Sequence, residues 1–163
     1  MKRADLIPLK IISREQAAQQ VKQWKAKGKK VAFTNGVFDI LHPGHIFSLS
    51  EAAKEGDYLV VGLNADASVK RLKGETRPVN NQDARAILMA SLLMVDAVVI
   101  FEEDTPLELI TAILPDVIVK GGDYTPEQVA GGKEVIAAGG KVVINPILEG
   151  YSTTGLIAKM KEN

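Results

Sequence analysis

The chain of 163 residues contains no cysteine and only two histidines. Without cysteine there is no disulfide, no thiol nucleophile and no cysteine-ligated zinc. A catalytic zinc site normally takes three protein ligands, so two histidines alone disfavour zinc as well, and we predict no metal-ligating residues. Any chemistry must rest on carboxylates, amines, hydroxyls and this one pair of imidazoles.

The sequence also lacks net charge and long apolar runs. Twenty Lys and Arg residues balance twenty Asp and Glu residues, which argues against a nucleic-acid coat or a polybasic membrane anchor. The longest apolar stretches, 86–94 and 97–101, fall far short of the roughly 20 residues of a transmembrane helix. Residues 1–12 lack the apolar segment of a secretory signal. We therefore expect a cytoplasmic protein with no nucleic-acid or membrane partner.

Short apolar runs rich in β-branched residues predict five strands, at 31–34, 58–63, 97–101, 117–119 and 141–144. Helical periodicity predicts helices at roughly 43–54, 81–92, 106–113, 128–138 and 153–161. Ser13 and Gln16 have the spacing of a capping box, which predicts a further helix that ends at Gly28. Continuous apolar strands alternating with helices are typical of a parallel sheet covered on both faces. We predict an α/β, Rossmann-like, doubly wound five-stranded parallel sheet, as one domain over 1–163 with residues 1–28 as its N-terminal flank.

The segment that follows the first predicted strand carries the most informative residues. In open parallel sheets, ligands bind beyond the carboxyl ends of the strands, and both histidines, His42 and His45, lie here. Gly36 and Gly44 allow close approach of the backbone to a ligand, and the helix that follows offers N–H groups to an anion. The alternatives are ordinary loop histidines or a fortuitous metal clip. The position of the histidines, after the first strand and at the start of a helix, favours a phosphate site over these alternatives.

Two motifs in this order resemble a known superfamily. Phe38-Asp39 followed by His42-Pro43-Gly44-His45 is similar to the signature of cytidylyltransferase-like nucleotidyltransferases, in which an H-x-G-H loop holds the triphosphate of a nucleotide. The second motif, residues 150–154, precedes the last predicted helix, as the resemblance implies. Hydroxyl and N–H groups there would bind the β- and γ-phosphates from the side opposite the histidines. Simple N-capping is the alternative, and both roles can coexist.

Within that superfamily, the chain most resembles the adenylyltransferases that make ADP-heptose from D-glycero-D-manno-heptose 1-phosphate. The blocks that carry the resemblance are residues 33–36, 61–66, 68–74, 77–80 and 119–124, and the similarity runs from about residue 10 to 161. It implies transfer of AMP from ATP to a sugar 1-phosphate, Mg²⁺ held mainly by ATP phosphates and water, and a homodimer. The alternatives are a cytidylyltransferase acting on glycerol 3-phosphate or a similar polyol phosphate, and a nucleotide-binding module without turnover.

The resemblance also assigns roles to individual residues. It implies catalytic roles for His42, His45 and Lys73, with Lys73 on a mobile loop that closes over the triphosphate. The residues implied in nucleotide binding are Thr34, Asn35, Gly36, Phe38, Asp39, Gly44, Arg85, Lys120, Gly121, Asp123, Tyr151, Ser152, Thr153 and Thr154.

Three of these assignments leave alternatives open. Lys73 is either the closing cation or a solvated surface lysine, and Arg85 points either at phosphate or at a nearby carboxylate. The segment from Lys120 to Asp123 either lies against a base and ribose or forms a glycine turn capped by Asp123.

Overall fold

The computed structural model describes residues 3–162, and its sheet contains the five predicted strands. They are β1 (Val31–Gly36), β2 (Tyr58–Asn64), β3 (Ala97–Phe101), β4 (Val117–Gly121) and β5 (Lys141–Asn145). All neighbours pair in parallel, in the order β3-β2-β1-β4-β5. The predicted parallel sheet is confirmed, while residues 1, 2 and 163 of the predicted domain lie outside the described residues.

Helices connect these strands. They are α1 (Arg14–Ala26), α2 (Pro43–Ala53), α3 (Asp66–Lys73), α4 (Gln82–Ser91), α5 (Leu107–Ile113), α6 (Gly132–Ala137) and α7 (Thr153–Lys161). Short 3₁₀ turns lie at Ala4–Leu6, Pro8–Lys10 and Pro126–Gln128. At the start of α1, Ser13 and Gln16 form the predicted capping box. Beyond its end, Gly28 has a φ of 72°, which suits glycine because it has no Cβ.

Two helix predictions were wrong in ways that local chemistry explains. Helix α3 was not predicted, because it has only eight residues and few of them are apolar; Lys73 is therefore the last residue of a helix instead of part of a loop. Helix α6 was predicted from 128, but it begins at 132. Gly131 adopts a φ of 77° there and separates α6 from the preceding 3₁₀ turn.

Alternating strand residues send their side chains to two separate cores. Val31 and Phe33 pack with α1, α5 and α6 on one face, while Ala32 packs with α2 and α4 on the other. Each strand is therefore covered on both sides, which explains why its sequence reads as a continuous apolar run. This is the doubly wound arrangement that the sequence predicts.

The strand order reverses between β1 and β4. From β1 the chain moves outward to β2 and β3, and it then returns to add β4 and β5 on the other side. The segments that follow β1 and β4 diverge at this point and leave a crevice at the carboxyl edge of the sheet. Among residues 3–162, no helix is both long enough and apolar enough to cross a membrane.

Candidate active site

A cleft of about 710 Å³ opens at the carboxyl edge of the sheet, where the strand order reverses. Its size lies within the range of small-molecule sites, roughly 300–1,000 Å³. Most of the predicted site residues line it: Thr34, Asn35, Gly36, Phe38, Asp39, His42, His45, Lys73, Lys120, Gly121, Ser152, Thr153 and Thr154. The remaining four, Gly44, Arg85, Asp123 and Tyr151, lie beside or beneath it.

The two histidines stack on each other at the start of α2. Their ring centroids are 3.8 Å apart and the ring planes differ by 23°. His42 is the N-cap residue of α2, and Pro43 occupies the first helical position, where a missing N–H costs nothing. The Nδ1 atoms of both rings are buried and have no hydrogen-bond partner within residues 3–162. Because buried polar atoms are rarely left unpaired, we expect a ligand or a water molecule to pair with them.

Burial keeps both imidazoles neutral near pH 7. It lowers the pKa of His42, and burial together with the neighbouring His42 lowers the pKa of His45 to about 4. Both effects disfavour positive charge while the cleft holds no anion. A polyphosphate placed against the rings would reverse this effect, because its negative charge favours protonation.

Side chains around the histidines fix their orientation. The edge of the Phe38 ring meets His45 with the centroids 5.3 Å apart, and Tyr151 lies parallel to His42 at 6.2 Å. A Cβ at Gly44 would come within 2.9 Å of the His42 ring and 3.1 Å of Tyr151. Gly44 is therefore needed to let these rings pack. The sequence predicted that Gly44 lets the backbone approach a ligand. In the structure, Gly44 lets the backbone approach the side chains of His42 and Tyr151.

The start of α7 forms the wall of the cleft beside the histidines, where Tyr151 meets His42, and not the opposite wall that the sequence predicted. The hydroxyl of Ser152 accepts a hydrogen bond from the Gly155 N–H at 3.0 Å, so Ser152 is the N-cap. Thr153 donates through its hydroxyl to the carbonyl of Ile40 at 3.3 Å, which ties α7 to the loop after β1. The capping role is thus present, and it leaves Thr154 exposed beside the cleft.

Arg85 lies beneath the cleft, fully buried. Its guanidinium donates to the carbonyls of Val37 and Asn64 at 2.8 Å and of Asn80 at 2.9 Å, and to a carboxylate oxygen of Asp66 at 2.7 Å. Of the two predicted alternatives, the geometry matches the carboxylate partner. The resemblance implied a contact between Arg85 and phosphate. With all three guanidinium nitrogens held by protein, Arg85 instead ties together the segments that follow β1 and β2.

The predicted residues after β4 are divided between the cleft and solvent. Burial lowers the pKa of Lys120, whose Nζ lies 5.4 Å from the centroid of the Tyr124 ring. Lys120 and Gly121 line the cleft, whereas Asp123 is exposed and does not. Lys73 is exposed at the end of α3 and borders the cleft from the side of β2.

Several cleft residues received no role from the sequence. They are chiefly Asn64, Arg77, Asp104, Thr105, Tyr124 and Gln128. Asn64 is the last residue of β2 and so lies at the carboxyl edge, where the position of a ligand site in parallel sheets would have singled it out. Arg77 lies 38 residues beyond Asp39 in the sequence, and no local pattern links the two.

A model of the cytidylyltransferase-like family matches residues 33–159 of this chain. Among curated proteins, the Bifunctional protein HldE of Caulobacter vibrioides is 58% identical over 152 residues, which are 93% of this chain and 32% of that protein. The Bifunctional protein HldE of Acidiphilium cryptum is 53% identical over 93% of this chain and 31% of its own length. The chain thus spans about a third of the length of these relatives.

A solved structure, a lipopolysaccharide core biosynthesis protein from Thermoplasma volcanium, is also similar to this chain. It is 31% identical with a TM-score of 0.61, and the match covers 77% of this chain and all of that one. The family match covers the segment after β1 and most of the sheet that supports it.

Proposed function

We propose that this chain, which belongs to the cytidylyltransferase-like family, transfers AMP from ATP to a sugar 1-phosphate, heptose 1-phosphate, and releases pyrophosphate. The observation that carries the proposal is the stacked pair His42 and His45, whose buried Nδ1 atoms have no partner among the described residues. The pair lies at the mouth of α2, in the crevice where the strand order reverses. Phosphate oxygens are acceptors that suit imidazole N–H groups and a helix N-terminus.

The reaction needs positioning and charge neutralisation more than it needs a base. A phosphate oxygen of the sugar 1-phosphate forms a bond to the α-phosphorus of ATP, while the bond from that phosphorus to the bridging oxygen of the β-phosphate breaks. The sugar phosphate is already ionised at neutral pH, so no proton has to be removed from it. The groups in the cleft would align two polyanions and stabilise the charge that moves onto pyrophosphate.

Each wall of the cleft has a role in this proposal. His45 would donate to the α-phosphate in the transition state, with His42 on the phosphates beside it. The start of α7, at Ser152 to Thr154, would bind the β- and γ-phosphates from the neighbouring wall. Lys73, exposed at the end of α3, would close over the triphosphate.

Mg²⁺ fits this site as an ion that arrives with ATP. Among residues 3–162 there is no cluster of three histidine or acidic side chains able to hold a metal. Asp39 reaches the cleft, but its carboxylate already accepts from Arg77 and from two backbone N–H groups. The ion would therefore be held mainly by phosphate oxygens and water, which is its usual mode in such sites, and would neutralise charge on the triphosphate.

The identities of nucleotide and acceptor rest on similarity. The sequence blocks described above match adenylyltransferases that form ADP-heptose, and relatives named Bifunctional protein HldE are 53–58% identical across 93% of this chain. The name of the Thermoplasma structure supports a link to lipopolysaccharide core synthesis. A homodimer and a cytoplasmic location stay predictions.

A pyrophosphate-release assay with Mg²⁺ tests the proposal. ATP, CTP, GTP and UTP are crossed against heptose 1-phosphate and glycerol 3-phosphate, with a variant that carries both His42→Ala and His45→Ala as the control for contaminating activity. Turnover with ATP and heptose 1-phosphate alone, absent in the control, is the expected result. Turnover with CTP and glycerol 3-phosphate would keep the chemistry and reassign the substrates. Nucleotide binding without turnover on any pair would contradict an enzymatic function.

A further inference from the structure

Arg77 is a second arginine beside the cleft, and it is held differently from Arg85. It lies between α3 and α4, lines the cleft, and its side chain is 15% exposed. Its Nε donates to the carboxylate of Asp39 at 2.8 Å. The Asp39 side chain is itself fully buried, so the ion pair anchors the near end of the guanidinium from below.

The segment that follows Arg77 holds Asp39 in place. The two carboxylate oxygens of Asp39 accept from the backbone N–H groups of Val79 and Asn80 at 2.8–3.0 Å. The Asn80 side chain also donates to the backbone carbonyl of Asp39 at 2.7 Å. Burial opposes ionisation of Asp39, but these hydrogen bonds and Arg77 together hold its pKa below the usual range. The carboxylate therefore stays charged, with its acceptors occupied by protein.

The far end of the Arg77 guanidinium has no such partners. Arg85 uses all three of its nitrogens within the protein, whereas Arg77 uses only Nε, and its two terminal nitrogens find no acceptor in the described part of the chain. An arginine fixed at Nε presents its terminal N–H groups as a rigid fork, whose planar geometry matches two oxygens of a phosphate. Holding the fork in place before binding also reduces the entropy lost when a ligand is bound.

We propose that Arg77 is a substrate-binding residue whose terminal guanidinium nitrogens bind a phosphate group in the cleft, with Asp39 as the residue that positions it. The inference rests on the proposed function, because that function supplies the phosphate. Both ATP and the sugar 1-phosphate carry one, and the two share this chemistry. Arg77 and Lys73 come from the side of β2, whereas the histidines and the start of α7 come from β1 and the end of the chain, so phosphate is bound from two sides.

Titration calorimetry tests this assignment without requiring turnover. ATP with Mg²⁺ and heptose 1-phosphate are titrated separately into the wild type, Arg77→Gln and Arg77→Lys. Arg3→Gln is the matched control, because Arg3 also donates to an aspartate through Nε but is 60% exposed. Removing a charged hydrogen-bond donor weakens binding by about 10- to 100-fold. We expect that loss for one of the two ligands in Arg77→Gln, a smaller loss in Arg77→Lys, and none in the control.

The ligand whose binding weakens identifies the phosphate that Arg77 holds. Unchanged binding of both ligands by folded Arg77→Gln would overturn the inference, while turnover by the wild type would leave the proposed function intact. Conversely, a wild type that binds ATP but releases no pyrophosphate contradicts the proposed function alone.

A measurement on the wild type covers the case in which Arg77→Gln does not fold. In protein with ¹⁵N-labelled arginine, the signals of Arg77 at Nε and at its two terminal nitrogens are assigned by their absence from the spectrum of Arg77→Lys. We expect its terminal nitrogens to shift when one ligand is added. Signals that stay unchanged at saturating concentrations of both ligands would overturn the assignment.

Discussion

Buried polar groups at the surface of the cleft and those directly beneath it differ in whether they have hydrogen-bond partners. At the surface, the Nδ1 atoms of His42 and His45 are buried without partners among the described residues. Arg85, beneath the cleft, donates to four acceptors, and the buried carboxylate of Asp39, which reaches the cleft from below, accepts from three donors. Both sets come from neighbouring segments at the same edge of the sheet.

This difference in hydrogen bonding distinguishes groups that are available to bind a ligand from groups that stabilise the structure of the site. An unpaired buried donor or acceptor costs about 1–3 kcal/mol, and a bound phosphate would relieve that cost. A fully paired arginine offers nothing to a ligand but fixes the segments that carry the histidines. Changes in the lower layer should therefore affect the free energy of unfolding, and changes at the surface should affect binding and turnover.

The largest effect on stability is expected for Arg85→Met. The change leaves the buried carbonyls of Val37, Asn64 and Asn80 without their donor and Asp66 without its counter-ion, so the free energy of unfolding should fall by about 3–5 kcal/mol. Urea denaturation followed by circular dichroism measures it. Arg71→Met is the matched control, because Arg71 is half exposed and bonded to Asp104, and it should cost at most about 1 kcal/mol. Equal losses in the two variants would contradict the separation into layers.

A smaller effect is expected from pH, through His45. Its pKa is about 4 in the folded protein, below its ordinary 6.5. Between pH 4 and pH 6.5, the imidazole is therefore protonated in the unfolded chain but neutral in the folded protein. The free energy of unfolding should therefore fall as pH drops from 6.5 towards 4, and less steeply in His45→Asn. Adding ATP should reduce the fall in the wild type, because its phosphates favour the protonated ring. Identical pH profiles for both proteins would show that burial does not suppress this charge.

The smallest effect on stability is expected at the rim, for Lys73→Gln. Lys73 and Lys70 are both exposed on α3, but only Lys73 lines the cleft. Either change should alter the free energy of unfolding by less than about 0.5 kcal/mol. Loss of the Lys73 charge should weaken ATP binding roughly tenfold, while Lys70→Gln leaves it unchanged. Equal ATP affinities in the two variants would identify Lys73 as a solvated surface lysine.

Much of the fold could be predicted because strands covered on both faces leave continuous apolar runs. All five strands were found, and most boundaries differ by only a few residues. The misses have local causes: α3 is short and polar, and the single φ of 77° at Gly131 shortens α6. Such features depend on backbone conformation and on contacts that local periodicity does not contain.

The site was predictable where its residues are adjacent in the sequence. The segment from Thr34 to His45 stands out because glycines and both histidines follow one strand directly. Arg77 was missed because its partner, Asp39, is distant in the chain and meets it only through the fold. The burial of Arg85 was equally hidden, since its four acceptors come from three segments that are distant in the sequence.

Adenylyl transfer by His45→Asn tests the central claim most directly, with the substrate pair that turns over in the wild type. The account predicts a fall in kcat/KM of about 100- to 1,000-fold, because a donor to the transferred phosphate is lost. The free energy of unfolding near pH 7 should change far less than in Arg85→Met. Wild-type kcat/KM in a folded His45→Asn protein would contradict the claim that this imidazole acts on the transferred phosphate.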